Sequence, residues 1–518
     1  MKRIFNASLL LLAHLLSLPP VYACQQVQTT SPSHAPQNTG DTVEPQVPQT
    51  QLDQVVQSYL KQGITLPGVA IVITDAERVI YEHYSGYAHI ERQQPVNANT
   101  QFYLKSSSKS FLGLLAARLH HEQVIDLQAP IKNYLPELQL PQPLDAQRIS
   151  LQSHFTHTIP YHDSGLAYRT AFPGNLLSEQ FVSHINSFAR PRDIEFRYSN
   201  FGPIVGALAL EQATGQTWQH LIAQRIFKPL GMLNSHASIS GSKQLSQAYI
   251  GAESGHYTPT ALKTDAQMHA AGGTVSSAQD LARWLQAQLT LGQLDGEQKI
   301  PRRAYTLSQA PLVALDWDFL DFHRYAHGLG MYRADYDGDV VLHHFGGETH
   351  LSHMPEQGFG IAILTNEVRF GSQVTHRLAT SLYDVLLNKP EAQQRVLEQV
   401  QTIRDRAHRL QQRLDQSSAS PAAQDWNNTL SASQLSGNYN NPRLGSIHLH
   451  DRGQGLVVSF GALSAPLVNI QQDHYRAALA PWGGEPYAFT FSQQDQAIIL
   501  NWGGRRFEKL APDTPATP

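Results

Sequence analysis

Two apolar, β-branched regions lie far apart in the chain, and both must find partners. Val69-Ala70-Ile71-Val72-Ile73, a polar break at Asp75-Ala76-Glu77, and then Val79-Ile80-Tyr81 form a β-hairpin pattern. The second region is three short strand-like runs at 340–345, 351–354 and 359–364, broken by Gly and Pro. Between them the chain reads as mixed helical segments, among them 127–136, 201–215 and 278–291, and a helix over 373–387 follows the last run. Strands at both ends with helices between them imply one antiparallel sheet assembled from distant segments. That is an α+β architecture, here spanning residues 52–388.

Inside this frame Ser106-Ser107-Ser108-Lys109 opens a helical run. Residues three apart lie on one helix face, so Ser106 and Lys109 stand side by side. A serine hydroxyl is a poor nucleophile until a base takes its proton. Lysine can be that base only where burial or positive neighbours lower its pKa. Taken alone, the spacing is also that of a capped, solvated helix start. Two further short patterns follow in order: Phe196-Arg197-Tyr198-Ser199-Asn200-Phe201-Gly202, and His344-Phe345-Gly346-Gly347 inside a strand-like run.

S-x-x-K, then Y-x-N, then [KH]-x-G in one domain resembles the serine β-lactamase and penicillin-binding-protein family. The branch is that of class C β-lactamases, D-aminopeptidases, DD-carboxypeptidases and esterases. Flanking stretches such as Pro67-Gly68-Val69-Ala70, Tyr134-Leu135-Pro136, Pro229-Leu230-Gly231-Met232 and Ala271-Gly272-Gly273 extend the resemblance over roughly residues 60–385. It implies a β-lactamase-like sheet flanked by helices with a helical subdomain. It also implies a serine hydrolase that forms an acyl-enzyme at Ser106, with Lys109 and Tyr198 sharing the base's role. Which of the two is the base stays open at this point. Asn200, His344 and Gly346 would bind substrate, and the N–H groups of Ser106 and Gly347 would form the oxyanion hole. The implied substrate is a small molecule or peptide, with D-amino-acid peptides foremost, and no cofactor is implied.

Where the family has lysine, this chain has His344, and an unperturbed histidine is only about a quarter protonated at pH 7. That favours peptidase or esterase chemistry over an efficient β-lactamase. A non-catalytic envelope protein that senses peptidoglycan or β-lactam is the alternative of a different class. Two departures lie near the nucleophile: Lys105 precedes it, and His157-Thr158-Ile159-Pro160 replaces the usual His-Thr-Ser-Gly. Histidines also cluster at 343, 344, 350 and 353, but neighbours on a strand point to opposite faces, so no metal site is expected.

The N-terminal region carries an address. Lys2 and Arg3 precede an apolar run ending at Leu16, and Val21-Tyr22-Ala23 precedes Cys24, the sole cysteine. This reads as a signal peptide over residues 1–23 with a lipobox-like end, so Cys24 is the expected lipidation site. The protein is then exported to the periplasm or outer membrane and meets the membrane through a lipid anchor. Residues 24–51, rich in Gln, Thr, Pro and Ser, read as a flexible tether. Formal charge is near balance at -4, which with no basic stripe excludes nucleic acid as a partner. Residues 389–430 read as a polar helix and a loose linker. Residues 431–513 read as a small all-β accessory domain with Trp482, Tyr487 and Trp502 in its core. Oligomeric state is left open.

Overall fold

The computed structural model describes residues 49–62, 64–251, 255–418, 428–453, 455–479, 487–495 and 497–511. The signal peptide, Cys24, most of the tether, Trp482 and the linker's middle lie outside the described residues. Among the described residues no helix is long and apolar enough to cross a membrane.

A nine-stranded sheet forms the frame. Its strands are β1 (Gly68–Thr74), β2 (Val79–His89), β3 (Gln94–Pro95), β4 (Val313–Phe319), β5 (Phe322–His327), β6 (Tyr332–Tyr336), β7 (Asp339–Gly346), β8 (Thr349–Met354) and β9 (Phe359–Thr365). The order is β4-β5-β6-β7-β8-β9-β1-β2-β3, so the N-terminal hairpin closes against the last strand, Val69 opposite Thr365. Every residue of β1 is buried because both faces are covered. Ala70 and Val72 face one core, whereas Val69, Ile71 and Ile73 face another.

The first core holds α2 (Ser108–His121), α4 (Phe201–Thr214) and α5 (Ala278–Leu289), with α3 (Ser164–Ala171) at its margin. The second holds α1 (Gln49–Gln62), α6 (Gly371–Leu386) and the long α7 (Ala392–Ser418). Helix α1 is tied in by Tyr59, whose hydroxyl meets Ser381 Oγ at 3.0 Å and donates to Gln399 Oε1 at 2.6 Å. On α7, Val396, Val400 and Ile403 are buried, but Leu397 faces solvent. The helix expected over 127–136 is only a single 3₁₀ turn, Ile131–Asn133. There Pro130 and Pro136 bracket a stretch that closes one α-type bond, Leu135 N to Ile131 O at 2.9 Å, and cannot propagate it into a helix.

The C-terminal region is a second nine-stranded antiparallel sheet. Its two end strands, Leu463–Pro466 and Val468–Gln471, are separated only by Leu467, so the sheet curls into a nearly closed barrel. Trp502, Phe460, Phe489 and Phe507 fill its interior.

The barrel sits against residues 163–175 of the first domain. Buried Asp163 caps α3 by accepting from the N–H groups of Gly165 and Leu166 at 2.9 and 3.3 Å. It also accepts from His184 Nδ1 at 2.6 Å and from Arg443 Nε of the barrel at 3.3 Å. Burial alone would raise this carboxyl's pKa, but the His184 bond and the Arg443 charge outweigh it and hold it below the usual range. Beyond α3, the N–H of Ala462 donates to the Pro173 carbonyl at 2.9 Å, and Tyr168 packs on Phe460 and Trp502. Asp163→Ala strips a helix cap and leaves the buried His184 Nδ1 and the half-buried Arg443 Nε without their acceptor. It should cost about 3–5 kcal/mol in urea unfolding at pH 7. A lowered folded pKa makes this contribution complete above about pH 4 and lost as pH falls further, so wild type and variant should converge in acid.

Candidate active site

Ser106 lies in a tight 3₁₀ turn, Lys105–Ser107, that leads directly into α2. The helix start is buried rather than solvated, and the serines there are not equivalent. Ser107 Oγ pairs with Thr349 Oγ1 at 3.1 Å, and Ser108 Oγ with Thr274 Oγ1 at 2.6 Å. Both serines are fully buried, while Ser106 is half-exposed and lines a cavity of about 260 Å³.

Lys109 Nζ reaches Ser106 Oγ at 3.1 Å, Asn200 Oδ1 at 2.7 Å and the Ala271 carbonyl at 2.7 Å. The carbonyl oxygens of Asn200 and Ala271 can only accept, whereas a serine hydroxyl can also donate. A neutral amine therefore gives its two N–H groups to those oxygens and turns its lone pair toward Ser106. Burial favours that state: Lys109 is 1% exposed, and desolvation drives its pKa well below the ordinary lysine value.

Tyr198 arrives on an extended segment pinned to the divergent 157–160 loop. Arg192 N donates to Pro160 O at 2.8 Å, and Arg197 N to His157 O at 3.0 Å. His157 is itself buried at a φ of 60°, its ring centroid 4.8 Å from that of Tyr198. Lys109 Nζ lies 4.9 Å from the Tyr198 ring centroid. Tyr198 keeps 39% of its surface exposed, and Ser106 is among the groups that act on its phenol. Burial, then Tyr332, raises the phenol's pKa, and Ser106 and Arg324 oppose the rise. The two shifts point the same way: the amine is the ready proton acceptor and the phenol a proton donor.

His344 stands on β7, 2% exposed, with its ring centroid 5.9 Å from that of Tyr198. Its Nδ1 donates to the Phe345 carbonyl at 2.8 Å. Burial, then the nearby Lys109 and His327, pushes its pKa well below the usual histidine value. The partial charge expected of an unperturbed histidine is therefore corrected to essentially none at pH 7. Its neighbour His343 faces the other side, where its ring stacks on Phe345 at 4.7 Å. Among the described residues no group of three His, Cys, Asp or Glu side chains converges to hold a metal ion.

Gly346 and Gly347 bring β7 against the nucleophile turn. A Cβ on Gly346 would sit 1.7 Å from the Leu104 carbonyl oxygen. One on Gly347, which has a φ of 63°, would sit 2.8 Å from Lys105 Cδ. Lys105, the unusual residue before Ser106, has a φ of 48° and pairs with Glu348, just after Gly347, at 2.5 Å. The pair ties together the two segments that carry the candidate oxyanion N–H groups.

Several neighbours of the site escaped the sequence reading. Arg324 on β5 is 3% exposed, and its guanidinium lies 3.7 Å above the Tyr332 ring, which stacks on Tyr198 at 6.3 Å. Nothing marked it, because β4 and β5 were not read as strands. Lys263 and Glu348 line the cavity beside Ser106, and neither belongs to a motif.

With this geometry in place, comparison with known proteins is decisive about family. The beta-lactamase family profile matches residues 52–383, well over half of the chain, so the chain belongs to that family. It is 24% identical over 365 residues to the unguisins hydrolase of Aspergillus campestris, covering 65% of this chain and 66% of that protein. It is 27% identical over 269 residues to a beta-lactamase of Escherichia coli, covering 50% of this chain and 67% of that one. Against the flp protein of Staphylococcus aureus it is 23% identical, covering 46% of this chain and 49% of the relative. The chain thus spans about half to two thirds of the length of these relatives.

Among solved structures, the octameric penicillin-binding protein homologue from Pyrococcus abyssi matches with a TM-score of 0.56 at 18% identity, over 89% of this chain and 99% of that one. EstCE1, a hydrolase with promiscuous acyltransferase activity, matches with a TM-score of 0.52 at 22% identity, over 65% and 97%. These likenesses establish the fold, including the C-terminal near-barrel.

Gly346→Ala should force the strand off the Leu104 carbonyl. We expect a loss of roughly 1–3 kcal/mol in thermal or urea unfolding, as overpacking typically costs, and a drop in Ser106 acylation larger than the stability loss alone would produce.

Proposed function

We propose that this protein cleaves amide or ester bonds through a covalent acyl-enzyme at Ser106. The observation that carries the reading is the Lys109 amine, buried, 3.1 Å from Ser106 Oγ and held by two oxygens that can only accept. Neutral Lys109 takes the hydroxyl proton as Ser106 Oγ bonds the substrate carbonyl carbon. The resulting oxyanion is met by the N–H groups of Ser106 and Gly347. Tyr198, whose ring lies 4.9 Å from Lys109 Nζ, gives a proton to the departing amine or alcohol and regains one from the Lys109 ammonium. Water then repeats the sequence in reverse and releases the acid. Asn200 orients Lys109 and binds the substrate amide, and His344 and Gly346 line the substrate's path.

His344 supports a substrate other than a classical β-lactam, because a buried neutral imidazole offers no fixed charge to a substrate carboxylate at that position. Peptides of D-amino acids and related small amides or esters fit best. Nitrocefin opening is the assay that would favour a β-lactamase proper. Acylation without steady-state turnover would favour a sensing role. Export and anchoring through Cys24 belong to the same proposal, and intact mass of membrane-extracted protein tests them.

Ser106→Ala should abolish covalent labelling by a fluorophosphonate, read as the loss of the adduct in intact-mass spectra. Lys109→Met should slow labelling by about 10²–10⁴-fold, as removal of a general base does. Labelling that persists in Ser106→Ala would overturn the assignment.

A further inference from the structure

The cavity beside Ser106 is walled mostly by apolar side chains, including Phe102, Leu245, Ala248, Leu262 and Val368. Its wall also carries two lysines, Lys105 and Lys263, and one carboxylate, Glu348. Glu348 is engaged by Lys105 at 2.5 Å and is nearly buried. Lys263 forms no ion pair among the described residues. Its amine donates to the Ala171 carbonyl at 2.5 Å and lies 5.5 and 5.4 Å from the Tyr103 and Phe172 ring centroids. One backbone acceptor leaves the other N–H groups of an ammonium without a partner of opposite charge.

The cost of that arrangement is visible in the amine itself. Burial first, then Lys105, draws its pKa down to about 7, with Glu348 opposing. Of the other titratable neighbours, His269 is itself depressed well below the usual value by burial, Lys263 and Lys109, and the Tyr103 phenol is pushed up by burial and Glu348. A half-buried cation whose nearby carboxylate, Glu348, is already engaged by Lys105 is under-compensated, and an anion brought in by a ligand would relieve it. Ser106 itself lines this recess, so a group carried on its oxygen lies against these walls.

We infer that the preferred acyl group has an apolar body ending in an anion, with Lys263 as the residue that receives the charged end. The inference rests on the acyl-enzyme reading above and deepens it to a substrate class. The opposing possibility is that the two aromatic rings merely shelter a structural lysine.

The test compares two esters of equal chain length, mono(4-nitrophenyl) adipate and 4-nitrophenyl hexanoate, with the Ser106→Ala background subtracted. Wild type should favour the adipate ester in kcat/KM by about 10-fold or more, the range of a charge-assisted hydrogen bond. Lys263→Met and Lys263→Gln should bring that ratio to about one, and Lys263→Arg should retain most of it. The ratio is internal to each variant, so partial misfolding does not mimic the result. A wild-type ratio of one or below, or a ratio unchanged in Lys263→Met, overturns the inference. If neither ester leaves an adduct on Ser106 in wild type, the acyl-enzyme reading itself fails and takes this inference with it.

Discussion

Lys109 is held where three remote segments meet: the nucleophile turn, the Asn200 loop and the Ala271 backbone. An amine with 1% exposure could not remain there charged and alone, because desolvation of an ammonium costs several kcal/mol. The fold resolves this by supplying acceptors for two N–H groups and a hydroxyl for the lone pair. Much of the surrounding packing serves that placement. Gly113 and Gly330 let the backbone at Leu329 and the Lys109 carbonyl come within distances that any Cβ would block. The helix is thereby fixed in depth, and with it the amine.

Charge around the site is distributed unusually. The histidine at the third motif contributes none, yet a buried guanidinium two strands away, on β5, lies over Tyr332 and sends positive potential to Tyr198. Arg324 has aromatic faces beneath it on Trp317, Phe319 and Tyr332, which hold a cation without supplying a proton acceptor. On the cavity side a separate pair, Lys105 and Glu348, spans the nucleophile turn and the strand end. Such a bond fixes the spacing of two backbone segments independently of any substrate.

The sheet's central strands were legible because they are buried on both sides and so read as continuous apolar runs. β1, β7, β8 and β9 fall where the pattern placed them. β4, β5 and β6 were not legible: in β4 Asp316, Trp317 and Asp318 face solvent at the sheet edge, where no apolar alternation is needed, and β5 and β6 set charged residues such as Arg324 and Asp335 among their apolar ones. The side chains that Ser106, Lys109, Tyr198, Asn200 and His344 bring to one place were legible as short ordered motifs. Their protonation was not. Histidine's ordinary pKa misleads at His344 because only the fold reveals that the ring is enclosed and its Nδ1 committed to a carbonyl. Lys263 and Arg324 were invisible for a related reason: each is defined by aromatic rings from distant parts of the chain.

Residues 163–175 are a partition with two sides. Ala171 and Phe172 look into the cavity next to Ser106, while Tyr168 and Pro173 are gripped by the barrel. The appended domain is thus an outer buttress of the cavity beside Ser106, although none of its described residues lines that cavity. Sequence drift in that buttress shifts the chamber's shape, so a domain exchanged between relatives would carry part of the enzyme's taste with it.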